Sequence, residues 1–183
     1  MRIITGRFKG RSLRTTKEVD VRPAMDRVKG AIFNMLQNRL GLGGARVLDL
    51  FAGIGSLGFE ALSRGAAQIV FVEDNRRMLD VIEENAEILG CLEECEIVHD
   101  DALSFIERNS NQTFDLIFAD PPYDFEQTPD IPRKVFEQQL LKKDGLLIIE
   151  HAKRTLFEAS PRYTLAVERE FGNTRLSFFL HPA

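Results

Sequence analysis

ARVLDLFAGIGSLGFEALSRG, residues 45–65, holds a strand, a glycine-rich loop and a helix in one run. ARVLDLF (45–51) alternates too little to be a surface strand and reads as one buried on both faces. SLGFEALSRG (56–65) has the spacing of a short helix ended by Gly65. Between them, Gly53, Gly55 and Gly58 stand in G-x-G-x-x-G order, a spacing that turns the chain tightly and lets backbone approach a ligand.

The same alternation continues along the chain. QIVFVE (68–73) reads as a second strand. NRRMLDVIEENAEILG (75–90) reads as a helix with Met78, Leu79, Ile82, Ala86 and Leu89 on one face, Asn75 as N-cap and Gly90 as its stop. CEIVHD (95–100), ALSFIERN (102–109), FDLIFAD (114–120), RKVFEQQLLKK (133–143) and GLLIIEHA (145–152) follow as strand, helix, strand, helix and strand. Apolar strands separated by amphipathic helices predict a parallel sheet covered on both faces. After residue 152 the pattern changes: YTLAVEREFG and TRLSFFLH, separated by Asn173, predict a closing antiparallel hairpin. Upstream, RIITGRF and GRSLRT predict a small basic hairpin, and RPAMDRVKGAIFNML (22–36) a helix with Val28, Ile32, Met35 and Leu36 facing inward. Residues 1–44 form an extension whose hinge is GLGG (41–44), and residues 45–183 the main domain.

Glu73 ends the second strand at the distance from the glycine loop where an acid binds ribose hydroxyls. Together with the loop it favours an adenosine-bearing cofactor, although tight strand-to-helix packing alone would explain the glycines. Asp49 precedes the loop, where a carboxylate suits a cationic ligand and repels a pyrophosphate. The alternative is that Asp49 bonds loop amides. Asp101, after the third strand, either accepts an adenine amine or caps the 102–109 helix, and the two roles are compatible.

The fourth strand runs into DPPY, residues 120–123. Two successive prolines hold the chain extended with its carbonyls outward, so Asp120 and the Pro121 carbonyl form a fixed pair of acceptors. That pair suits the two hydrogens of an exocyclic amine, and Tyr123 offers a ring on which a base can stack. Accepting both hydrogens would aim the nitrogen lone pair at a methyl group. A plain strand followed by a turn is the alternative.

A chain of 183 residues with 44% hydrophobic and 28% charged residues fits one globular domain with a small appendage, and no apolar run is long enough to span a bilayer. MRIITGRFKGR lacks a secretory core, and two cysteines make no disulfide framework, so a soluble cytoplasmic protein with reduced Cys91 and Cys95 is expected. No histidine accompanies the cysteines, and no metal site is expected. The net charge of −4 is unevenly spread. Residues 1–40 carry ten Lys and Arg against three acids, a balance of +7, which leaves 14 against 25, or −11, for the rest. A basic segment on an acidic body predicts a local polyanion-docking surface, with a solvated cationic face as the alternative.

With these residues in view the chain resembles the class I S-adenosylmethionine-dependent methyltransferases that modify exocyclic amines. More closely it is similar to the bacterial 16S ribosomal RNA guanine-966 N2 methyltransferase family. The likeness is carried by RIITGRFKGRSL, RPAMDRVKGAIFNML, LDLFAGIGSLGFEALSRGA, VFVE and DPPY. It implies a Rossmann-like α/β fold, with a mostly parallel seven-stranded sheet, a C-terminal antiparallel hairpin and a basic N-terminal extension contacting RNA. It also implies a catalytic set of Asp120, Pro121, Pro122 and Tyr123. Around the cofactor it implies Asp49, Phe51, Ala52, Gly53, Gly55, Gly58, Glu73, Asp101 and Ala102, and along the RNA Arg7, Lys9, Arg11, Arg22 and Arg27. The expected substrate is 16S ribosomal RNA within an assembling small subunit, and the expected state a monomer. The chain departs from the family pattern at Thr5, Ala24, Met25 and Gly30, where glycine, two threonines and an acid are expected.

Four other readings compete. Protein glutamine methylation usually goes with an Asn-Pro-Pro-Tyr motif, whereas Asp120 stands here. A DNA amine methyltransferase would share the DPPY clamp, but little chain remains for a separate sequence-reading domain. A nicotinamide dehydrogenase would share the glycines and leave DPPY unexplained. A non-catalytic RNA-binding assembly factor would share the scaffold, against which stand the intact Asp120 and glycine loop.

Overall fold

The computed structural model describes residues 1–16, 23–37 and 39–183. Seven strands form one sheet: β1 (Arg46–Leu50), β2 (Gln68–Glu73), β3 (Cys95–His99), β4 (Phe114–Ala119), β5 (Leu141–Ala152), β6 (Thr164–Phe171) and β7 (Thr174–Leu180). Their order is β3-β2-β1-β4-β5-β7-β6, with the first five parallel and β7 antiparallel to both β5 and β6. The order reverses between β1 and β4. The crevice beyond the carboxyl ends of these two strands is where such sheets bind ligands.

Alternation along each strand sends successive side chains into two cores. Val47, Phe71, Phe118 and Ile148 pack on one face beneath α1 (Pro23–Gln37), α2 (Ser56–Ser63) and α3 (Arg76–Leu89). Leu48, Val70, Ile117 and Ile149 pack on the other beneath α4 (Ala102–Arg108) and α5 (Asp130–Glu137). Ile3, Phe8 and Leu13 belong to the first core, so residues 1–16 pack on the same face as α1.

The first residues close a loop through one antiparallel bridge, Arg2 to Ser12, rather than a regular two-stranded hairpin. Backbone bonds from Ile3 N to Arg11 O, Gly10 N to Ile3 O and Leu13 N to Met1 O complete it. The loop docks on α2. Buried Glu60 accepts from the amides of Ile4 (2.7 Å) and Thr5 (3.1 Å), while Arg7 N donates to Ser63 O and Phe8 N to Ser63 Oγ. Gly6 permits this approach: its φ is +89°, and a Cβ there would lie 1.8 Å from the Ser63 carbonyl oxygen.

One helix is shifted from its sequence-based expectation. α5 covers Asp130–Glu137 rather than 133–143, since Pro129 and Pro132 fit a helix start. Gln139 then takes a positive φ of 55°, and the Leu140 carbonyl receives Phe114 N, so β5 begins at Leu141 instead of Gly145.

Candidate active site

A cleft of about 960 Å³ opens beyond the carboxyl ends of β1, β2, β4 and β5. Arg27 and Val28 of α1 form part of its wall, and the β6–β7 turn, from Glu170 to Thr174, another. Its volume suits a small-molecule ligand.

The glycine loop forms one side. Phe51 lines the cleft with a positive φ of 57°, uncommon for a bulky residue, and its ring meets Phe125 edge-on at 5.2 Å. Gly53 and Gly55 also take positive φ, and Gly53 N donates to Glu73 Oε2 at 2.8 Å. The other Glu73 oxygen accepts from Asn75 N, and the carboxylate still lines the cleft. Burial first, and then the neighbouring Asp74, raise its pKa against those two amide bonds. Ala52 is buried, its amide donating to Val72 O. Gly58 lies under the loop, where a Cβ would come within 2.3 Å of the Phe71 ring.

Asp49 also lies beneath the loop and does not line the cleft. It is 2% exposed, and Oδ2 accepts Gly58 N at 2.9 Å. Burial, with Asp120 and Glu73 nearby, pushes its carboxyl well above the usual range. Asp101 caps α4, accepting Ser104 N at 2.8 Å, and also lines the cleft. Ala102, the first residue of α4, is buried.

Asp120, Pro121, Pro122 and Tyr123 line the opposite side of the cleft. Burial raises the Asp120 carboxyl to about 7, and its oxygens accept no hydrogen bond among the described residues. The carbonyls of Pro122 and Tyr123 receive Phe125 N and the Arg154 guanidinium, whereas that of Pro121 accepts none. The Tyr123 hydroxyl is hydrogen-bonded to Thr174 Oγ1, which fixes the ring while leaving Tyr123 51% exposed.

Glu150, two residues before the end of β5, was missed from the sequence. It lines the cleft, and burial followed by the charge of Asp120 raises it to about 8. An acid after the apolar run 146–149 was only a partial signal, because β5 continues past Glu150 and its place beside Asp120 is set by strand pairing. Thr174 and Arg154, which brace Tyr123, carried no such signal.

The basic residues are dispersed. Arg27 lines the cleft; Arg7 pairs with Glu94, and Arg11 donates to the Ile88 carbonyl at 2.7 Å. The Lys9 ammonium has no partner among the described residues, and Arg22 lies outside them. Cys91 and Cys95 are free thiols. Among the described residues there is no three-ligand metal cluster and no helix long and apolar enough to cross a membrane.

The fold, with its ligand crevice at the β1–β4 reversal, is that of the class I methyltransferases. The chain belongs to the family described as conserved hypothetical protein 95, whose model matches residues 1–180. It is 34% identical over 174 residues to ribosomal RNA small subunit methyltransferase D of Haemophilus influenzae, covering 94% of this chain and 89% of that protein. The solved structure of yhhF from Escherichia coli matches with a TM-score of 0.87 and 28% identity, covering 100% of this chain and 98% of that one. SMU.776, solved as a complex with SAH, shares the fold at a TM-score of 0.66 and 16% identity, covering 87% of this chain and 50% of that one.

Proposed function

We propose that this chain, an S-adenosylmethionine-dependent ribosomal RNA methyltransferase, places the methyl group on the exocyclic N2 of a guanine in 16S ribosomal RNA. The observation that carries the proposal is a pair of open acceptors: Asp120 and Pro121 line the cleft, and neither the Asp120 carboxylate nor the Pro121 carbonyl has a donor among the described residues.

The cofactor fits the residues present. Glu73, with one amide on each carboxylate oxygen, keeps a further lone pair on each for ribose hydroxyls, Asp101 stands at the adenine end, and the acids of Glu73 and Asp120, with Asp49 buried beneath the loop, suit a ligand bearing a sulfonium and an ammonium. Phe51, Ala52, Gly53, Gly55, Gly58 and Ala102 shape the backbone around it. The bound cofactor supplies an electrophilic methyl group on a positively charged sulfur.

The protein's part is positional. Asp120 and the Pro121 carbonyl each accept one amine hydrogen, which draws the nitrogen out of conjugation and directs its lone pair toward the methyl. Pro122 keeps the carbonyls extended, and the face of Tyr123 stacks the extruded base, a contact worth about 1–3 kcal/mol. As the N–C bond forms and the C–S bond breaks, positive charge appears on the amine beside Asp120. Its proton passes to Asp120 or solvent.

RNA is drawn by residues 1–44, through Lys9, Arg22 and Arg27 and, once freed from their partners, Arg7 and Arg11. Family resemblance supports guanine 966, on an assembling small subunit in the cytoplasm, as the target of this proposal. Incubation with methyl-labelled S-adenosylmethionine and either naked 16S RNA or partly assembled subunits, followed by digestion, tests this. Labelled N2-methylguanosine at one site is expected. Label on another atom or base, or none while the cofactor binds, overturns it.

A further inference from the structure

We infer that the Glu150 carboxylate accepts the N1–H of the target guanine beside the amine held by Asp120, making the site select guanine over purines whose N1 is an acceptor. The inference rests on the guanine-N2 assignment and adds to it a residue that chooses the base.

The sheet places the two acids side by side. Ala119 of β4 pairs with Ile149 of β5, so Asp120 and Glu150 follow in step on neighbouring strands, which lie about 4.8 Å apart. Phe118 and Ile148, two residues earlier, share one core, so Asp120 and Glu150 leave the same face of the sheet. Both line the cleft.

Three other cleft acids are already engaged. Glu73 holds two backbone amides, Asp101 caps α4, and Glu170 pairs with Lys153 and Arg175. Glu150, like Asp120, accepts no hydrogen bond among the described residues. A carboxylate withdrawn from water without a donor is costly, so two such groups together are poised for a ligand that brings donors.

Guanine brings them in the matching arrangement. Its N1–H and N2 amine are adjacent donors along one edge. With Asp120 on the amine, the longer Glu150 side chain reaches the neighbouring N1–H. In 2-aminopurine the amine keeps its position but N1 is a bare acceptor, which a carboxylate would repel.

Single-turnover methylation of RNA carrying guanine or 2-aminopurine at the target, by the wild type, Glu150→Gln and Glu150→Asp, tests this. The wild type should prefer guanine by at least about tenfold, and the amide, able to donate to N1, should narrow that preference to within about threefold. Glu150→Asp should slow transfer to guanine while keeping the preference. Cofactor affinity and the thermal midpoint, measured alongside, should hold for both variants. A preference of unchanged size in Glu150→Gln overturns the role of Glu150 while the base assignment stands. A wild-type product other than N2-methylguanosine overturns the base assignment and this inference with it.

Discussion

Two groups of buried or half-buried carboxylates sit on the same face of this sheet, and they are treated in opposite ways. Under the N-terminal loop, Glu60 is surrounded by donors: the amides of Ile4 and Thr5, the Arg64 guanidinium at 2.8 Å and the Lys29 ammonium at 3.9 Å. Lys29 itself is 3% exposed, and it donates to the Arg2 carbonyl and Ser56 Oγ. In the cleft, Asp120 and Glu150 have no donor, and their pKa values rise accordingly. A saturated carboxylate fastens one segment to another. An unsaturated one spends stability to stay open for a ligand.

Glu60→Ala tests the first half of that contrast and should have the largest effect. It leaves Lys29 buried without that partner and two amides without acceptors, so unfolding in urea should show a loss of about 3–5 kcal/mol. A loss below about 1 kcal/mol would mean that the loop is held by its apolar residues alone.

Asp120→Ala tests the second half. Methyl transfer should fall about 10²- to 10³-fold, with S-adenosylmethionine affinity retained. Wild-type turnover in that variant would dismiss the clamp.

A smaller effect is expected on charge at the surface. Each cation that meets a phosphate adds about 0.7–0.9 to the slope of log affinity against log salt. Because Arg7 and Arg11 are engaged by Glu94 and the Ile88 carbonyl, replacing Arg7, Lys9 and Arg11 with glutamine should lower that slope by about one, mainly through Lys9. An unchanged slope would remove the loop from the RNA interface.

Much of this architecture is legible in the sequence because burial on both faces leaves little choice of residue. Val47, Leu48 and Leu50 of β1 could not be mistaken for a loop, and Asn75 and Gly90 marked the ends of α3. Where local signals agreed with two outcomes, the tertiary partner decided. Leu140 and Leu141 fit a helical face as well as a strand, and pairing with Phe114 drew Leu141 into β5. The position of β7 between β5 and β6 likewise depends on long-range pairing. At the site, DPPY and the glycine loop announced themselves through residues with special backbone requirements. Glu150 did not, because its role comes from standing next to Asp120 across a strand pairing thirty residues away in sequence.

The most direct test of the account is a carboxyl titration of the ligand-free protein by carbon-13 NMR, with Asp120→Asn and Glu150→Gln to assign the signals. An aspartate titrating near 7 and a glutamate near 8 are expected, reported as values of the interacting pair. These lie above the ordinary 3.8 and 4.5, so the stability contributed by the neutral forms is complete below those values and lost as pH rises through about 7 and 8. Stability of the free protein should therefore decline over that window. Titration of both groups in the ordinary carboxylate range would contradict the claim that the cleft holds them unpaired and ready for a ligand.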